Sequence, residues 1–374
     1  MSIFITGSTG YIGSYVLERL LRNHKDNLSL LVRAKNQEEA RRKLWKALQL
    51  HMGFEEFKEF LETRIRIYLG DLTAHQLGIE GGTREELIDD MESVLHVAAS
   101  LNRKSDKACF NHNLRGTLHV INLAKEANDR HGLKRFSEVS TVAIAGVRQD
   151  EVVLENDMVD WDRNDYDPYA RTKKFCEYMV HQLLPNVPKT IFRPSIVLGD
   201  SRFAQTMQFD MVRAFVYLAR LPILPFNEKW RADIVPANFV AQAIVDIHQK
   251  EKTLFESYNL SSGTESLTFR QIVDALGQKT SRKPPVFVPL LEKPSSFLVN
   301  SLANTPRWMG ISKVFSLMKV FWPYLNFNTV FDNSRVKQEL GISPVAFHHY
   351  ADDLRHFAES GNFTYPYKAW PEGK

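Results

Sequence analysis

The chain has 374 residues, of which 44% are hydrophobic and 25% charged, and its net charge is +4 at neutral pH. That balance excludes a globally disordered chain, and the weak charge, without any dense Lys/Arg block, gives no footprint for nucleic acid. Two cysteines, Cys109 and Cys176, cannot build a disulfide framework or a Cys-rich zinc site, which suits a reducing compartment.

The length predicts one large domain or two unequal ones. No apolar run reaches the ~18–20 residues needed to cross a bilayer. The opening MSIFITG has no basic stretch ahead of its apolar one and does not read as a signal peptide. A soluble cytoplasmic protein is the expectation.

In chain order, short β-branched runs alternate with longer amphipathic stretches, the pattern of βαβ units around a parallel sheet. Strands are predicted at 2–6, 28–32, 65–69, 93–97, 135–140, 189–193 and 257–260. A helix is predicted over 11–22 from Ile12, Val16, Leu20 and Leu21, and two solvated helices within the charged stretch 37–63. After residue 199 the rhythm changes: 203–225 and 294–330 are rich in Phe, Met, Trp and Leu without strand alternation. The expected fold class is α/β, a Rossmann-type doubly wound parallel sheet with a smaller, mostly helical C-terminal substrate subdomain. Its nucleotide domain covers 1–200, with 230–262 returning to it; 201–229 and 263–374 form the substrate subdomain. Trp308, Phe321 and Trp322 are candidates for that subdomain's core or cleft.

Thr6-Gly7-Ser8-Thr9-Gly10-Tyr11-Ile12-Gly13 joins the first strand to the first helix. Glycines here allow the tight turn, the approach of a pyrophosphate to backbone, and close packing of helix on strand. Unpaired N–H groups at the helix start then receive the phosphates. The spacing is Gly-x-x-Gly-x-x-Gly rather than Gly-x-Gly-x-x-Gly. At the end of the second strand, where an acid would hold a ribose 2′-hydroxyl, stands Arg33, whose guanidinium suits a 2′-phosphate; this predicts NADPH over NADH.

Tyr169 and Lys173 are four residues apart at the start of a stretch with helical spacing, so phenol and ammonium share a helix face. A nearby cation favours the phenolate and makes the tyrosine usable as a proton donor or acceptor. Chance also supplies such pairs; position after the fifth strand gives this one its weight. That strand ends Ser140-Thr141, where Thr141 or Ser140 is placed to hydrogen-bond a substrate oxygen.

Taken together and in this order, Thr6–Gly13, Arg33, Gly70-Asp71-Leu72, Thr141, Tyr169 and Lys173 resemble the short-chain dehydrogenase/reductase superfamily in its extended form. Carried over, the resemblance implies pyrophosphate binding at Gly7, Thr9, Gly10 and Gly13, with Tyr11 and Ile12 lining the same turn. It implies Asp71 and Leu72 beside the adenine, Val97-Ala98-Ala99 along the cofactor, Asn113 as the helix asparagine, and Arg193-Pro194-Ser195 near the nicotinamide. Thr141, Tyr169 and Lys173 match the catalytic triad, with Lys173 holding the nicotinamide ribose and keeping the tyrosine acidic. The stretch Leu31-Val32-Arg33-Ala34 with Arg41-Arg42-Lys43-Leu44, His96–Asn102, and Trp230-Arg231-Ala232-Asp233-Ile234-Val235-Pro236 resembles thioester reductase domains and fatty acyl reductases.

The implied activity is NADPH-dependent reduction of an acyl thioester, carried by coenzyme A or an acyl carrier protein, to aldehyde and onward to alcohol. Other extended members set the alternatives: nucleotide-sugar epimerases or dehydratases, hydroxysteroid-type dehydrogenases, and non-enzymatic NADP sensors. Phe203, Met207, Phe209, Met211 and Phe215 fall near helical spacing and suit either core packing or a long acyl chain. An amphipathic stretch at 314–325 is able to touch a membrane surface. His96, His112, His119, His131 and His348-His349 show no metal-ligand spacing with a partner acid, so no metal is expected. Cys176, three residues past Lys173, is expected to face the core.

Overall fold

Seven apolar runs pair side by side into one parallel sheet. The structure is a computed structural model and describes residues 2–277, 284–292, 294 and 327–371. In chain order its main elements are β1 (Ser2–Thr6), α1 (Tyr11–Asn23), β2 (Asn27–Val32), α2 (Gln37–Leu48), α3 (Phe54–Thr63), β3 (Ile65–Leu69), α4 (Gly81–Asp90), β4 (Met91–His96), α5 (Gly116–His131), β5 (Arg135–Val139), α6 (Pro168–Leu183), β6 (Lys189–Pro194), β7 (Ile196–Val197), α7 (Asp210–Arg220), β8 (Ile234–Val235), α8 (Ala237–His248), β9 (Ser257–Leu260), α9 (Phe269–Gly277) and α10 (Ala351–Ser360). The sheet order is β9-β6-β5-β4-β1-β2-β3, with parallel pairing throughout.

Both faces of this sheet are covered, as an all-parallel sheet requires. On one side, α1 and α8 pack together, fastened by the ion pair of Arg19 with Asp246 at 2.7 Å. Their apolar faces join Ile3, Ile5, Leu28, Leu30 and Leu260 of the sheet in one core. The other side is closed by α4, α5 and α6 over Phe4, Val94 and Phe136. Strand order reverses between β1 and β4, so the carboxyl ends of both open onto one crevice, where ligands of such sheets bind.

The two charged helices over 37–63 are present as α2 and α3. They are less solvated than their composition suggests, because Leu44, Trp45, Leu48 and Phe57 are buried. The chain's end returns over them: Trp370 stands edge-on to Phe54, 4.9 Å between ring centres. A second apolar cluster joins α7, α9 and α10 through Met211, Phe215, Phe226, Phe269, Ile272, Phe347 and Leu354. Trp308, Phe321, Trp322 and the stretch 314–325 lie outside the described residues.

Candidate active site

The turn between β1 and α1 is held by its own glycines. Gly7 has φ +78°, a backbone conformation that side chains rarely adopt, and a Cβ there would stand 2.6 Å from Ala98 N. A Cβ on Gly13 would fall 2.0 Å from Gly7 O, so any side chain would push helix and turn apart. Gly10 caps α1 without a capping side chain, and the first turn contains no acid. Its leading N–H groups are thus a site for an anion. Under the turn His96 is buried between Thr6 Oγ1 (2.6 Å) and Thr117 Oγ1 (2.9 Å). Burial, aided by the charge of Lys173, brings its pKa down to about 3, so the ring is neutral.

At the other end of the crevice, Asp167 caps α6 by accepting from Ala170 N at 2.8 Å, and Pro168 occupies the first helical position. This start fixes Tyr169 on the first turn. The Asp167 carboxylate also binds Arg103 at 2.8 Å, whose guanidinium lies 4.5 Å from the centre of the Tyr169 ring. Burial pushes the Tyr169 phenol above its ordinary pKa; the charges of Lys173 and Arg103 and the Thr141 hydroxyl pull it back. Thr141 Oγ1 donates to Pro194 O at 3.5 Å, joining the ends of β5 and β6.

One cavity of about 1330 Å³ connects these two ends. It is lined by Gly7, Thr9, Gly10, Tyr11, Ile12, Gly13, Arg33, Asp71, Leu72, Ala98, Thr141, Tyr169, Pro194 and Ser195. Two expected residues, Asn113 and Lys173, are not in its wall. Asn113 sits in a π-helical segment (Phe110–Arg115) behind the wall. There it accepts from Ser100 N (2.7 Å) and donates to Ser100 O (3.2 Å) and Thr172 Oγ1 (3.1 Å), so it fastens the segment after β4 to α6. Lys173 is wholly buried, with Nζ 2.7 Å from Glu138 Oε1. Burial opposes the ammonium charge, but the Glu138 carboxylate outweighs it and lifts the pKa above its usual value. In this structure the contact of Lys173 is with Glu138, and its charge acts on the Tyr169 phenol through space.

Of the aromatic and Met residues expected to house an acyl chain, Met211 lines the cavity, whereas Phe203, Met207, Phe209 and Phe215 do not. Phe215 is core, and Phe209 packs against it. Cys176 is fully buried, its thiol pushed up to about 12, mainly by desolvation. The wall also contains Lys43, Arg103, Arg231 and Asp233, which the sequence reading placed in motifs or passed over without a role. Lys43 Nζ bonds Arg33 O at 2.7 Å, so α2 brings a second cation to the end of β2. Among the described residues, no group of three or more His, Cys, Asp or Glu could hold a metal, and no helix is long and apolar enough to cross a membrane.

Residues 5–244 match the family model described as male sterility protein, an NAD-binding family. The chain belongs to this family. Its fold is that of the extended short-chain dehydrogenase/reductases, and the NAD-binding family indicates a nicotinamide-type cofactor. It is 29% identical to the putative fatty acyl-CoA reductase CG8306 of Drosophila melanogaster, over 52% of this chain and 43% of that one. It is 26% identical to the nonribosomal peptide synthetase asaC of Aspergillus flavus, over 69% of this chain and 26% of that protein. Its fold matches the terminal R domain of the myxalamid PKS-NRPS pathway with a TM-score of 0.80 at 20% identity, covering 97% of this chain and 91% of that domain. The chain spans less than half the length of both these curated relatives.

Proposed function

We propose that this member of the family reduces an acyl thioester with NADPH, releasing thiol and an aldehyde, with a second reduction giving the alcohol. The observation that carries the reading is one cavity walled at one end by an uncapped helix start and at the other by the Tyr169 phenol and Thr141. Relatives named as fatty acyl-CoA reductases and as peptide synthetases support the thioester as substrate, bound to coenzyme A or to a carrier protein.

The residues present fit the nucleotide. Gly7, Gly10 and Gly13 leave room and N–H groups for its pyrophosphate, and Arg33 with Lys43 supplies cations for a 2′-phosphate. Bound there, the nicotinamide supplies a hydride. Thr141 and Tyr169 hold the thioester oxygen as it gathers negative charge. Tyr169 gives that oxygen its proton; the resulting hydroxyl then gives up its proton as the carbonyl reforms, the carbon–sulfur bond breaks, and the departing sulfur takes up a proton to leave as thiol. Lys173 favours the phenolate left behind, acting from behind the wall. Arg103, tethered to Asp167, lies against the ring. The buried free thiols Cys109 and Cys176 take no part and suit a reducing, cytoplasmic setting.

The test is NADPH consumption with a panel of acyl thioesters against UDP-sugars, followed by identification of the product. Aldehyde from a thioester is the expected result. Turnover of sugars alone would move the chain to the epimerase side of the superfamily.

A further inference from the structure

Near Thr141 the cavity wall carries two polar side chains, Ser195 and Asp233, among apolar ones. Ser195 follows Pro194, whose carbonyl accepts from Thr141, and Ile196 N of β7 donates to Asp233 O at 3.1 Å just ahead of β8. Ser195 and Asp233 therefore sit on neighbouring segments, and both line the cavity. Asp233 is 5% exposed. One of its carboxylate oxygens, Oδ1, accepts from Ser262 N at 2.8 Å. The other, Oδ2, is buried without a hydrogen-bond partner, and Ser195 Oγ is in the same state.

Leaving a buried carboxylate oxygen unpaired costs stability, so such a group in a cavity wall marks where a ligand completes the bonding. Burial pushes the pKa of this carboxyl up to about 7; the Ser262 amide and the nearby Ser195 and Ser261 hydroxyls, the latter two outside good hydrogen-bond geometry, pull it back only in part, and no cation is among the groups acting on it. Arg231, two residues away, spends its Nη1 on the carbonyls of Thr264 and Ser266. Meanwhile Phe203, Phe209 and Phe215, the side chains that would make an oily tunnel, are outside the wall.

We propose that Asp233 and Ser195 form a subsite for a hydrogen-bond donor on the acyl group, a hydroxyl or an ammonium close to the thioester carbonyl. The subsite selects substituted acyl chains over plain ones. Asp233 supplies an acceptor for either donor, and Ser195 an adjustable hydroxyl beside it. This inference rests on the thioester reading and names the substrate class within it.

The experiment compares kcat/KM, with NADPH, for pantetheine thioesters of butanoate, 3-hydroxybutanoate and 3-aminobutanoate. Wild type is expected to favour one donor-bearing chain over butanoate by about tenfold, the value of one charge-assisted hydrogen bond. The favoured chain tells hydroxyl from ammonium. In Asp233→Asn, which keeps an oxygen for Ser262 N, the preference is expected to shrink at least fivefold; Ser195→Ala, in the same series, is expected to reduce it also and serves should the first variant fail to fold. Equal rates for the three thioesters in wild type, or an equal loss on all of them in both variants, overturn the subsite while leaving thioester reduction standing. No turnover of any thioester overturns both.

Discussion

Lys173 Nζ lies 2.7 Å from Glu138 Oε1, with the two side chains 1% and 0% exposed. The partners come from β5 and α6 and are 35 positions apart in sequence. Because neither charge meets water, each depends on the other, and removing one leaves the second buried and uncompensated. Lys173→Met is therefore expected to cost about 3–5 kcal/mol. Adding Glu138→Leu to that variant is expected to recover much of the loss. Urea unfolding of both single variants and the double variant checks this, and simple additivity would contradict it.

The same pair sets a pH dependence. Reduction needs the Tyr169 phenol protonated, and the ammonium of Lys173 favours its loss of that proton. With Glu138 replaced by Gln, the buried Lys173 ammonium loses the partner that holds its proton against burial and gives it up more readily. Its field on the phenol is then lost, the phenol pKa rises, and the loss of kcat/KM at alkaline pH should set in at higher pH than in wild type. A profile unmoved by Glu138→Gln would show that Glu138 does not act through Lys173.

Arg33 is expected to choose the nucleotide. Its side chain is 70% exposed, so the solvated guanidinium contributes at the lower end of charge-assisted bonds. Arg33→Ser should weaken NADPH binding by about tenfold and leave NADH nearly unaffected, since only the former presents a phosphate dianion. Titration of both nucleotides by fluorescence measures the ratio.

Asp233 makes a thermodynamic prediction separate from its part in specificity. Burial raises its pKa from 3.8 to about 7. Between those values the folded protein keeps a proton that the unfolded chain has released, so stability falls as pH rises through that window, by on the order of 4 kcal/mol. Glu155, raised to about 7 by its own burial, acts in the same direction. Asp233→Asn should therefore flatten part of the decline, as read from unfolding curves at pH 4.5 and 7.5. An unchanged slope would mean that this carboxyl is ionised in the folded state.

Most of the sheet was legible because every strand but the edge strand β3 buries both faces, and the runs are short and apolar; IFIT, LSLLV and SYNL needed no partner to be recognised. The helix α4 was missed because it opens on two glycines and has almost no apolar face, burying little beyond Arg84, Leu87 and Ile88. In the site, local chemistry was readable: the glycine turn, the strand-ending Arg33 and Thr141, and the helix-borne Tyr169. The partnership of Lys173 with Glu138 was not, since a Glu inside an apolar strand betrays no partner 35 positions on. Asn113 illustrates the same limit. Its residue type suited a cavity, and only packing reveals that it ties Ser100 to Thr172. The apolar spacing of Phe209 and Phe215 was equally compatible with core and with cleft, and burial decided for core.

The most direct test of the account is the effect of removing one oxygen atom, in Tyr169→Phe, on thioester-dependent NADPH oxidation. The account predicts a fall in kcat of about 10²–10⁴-fold, with the dissociation constant for NADPH essentially that of wild type. A variant that oxidises NADPH at the wild-type rate with the same thioester would contradict it.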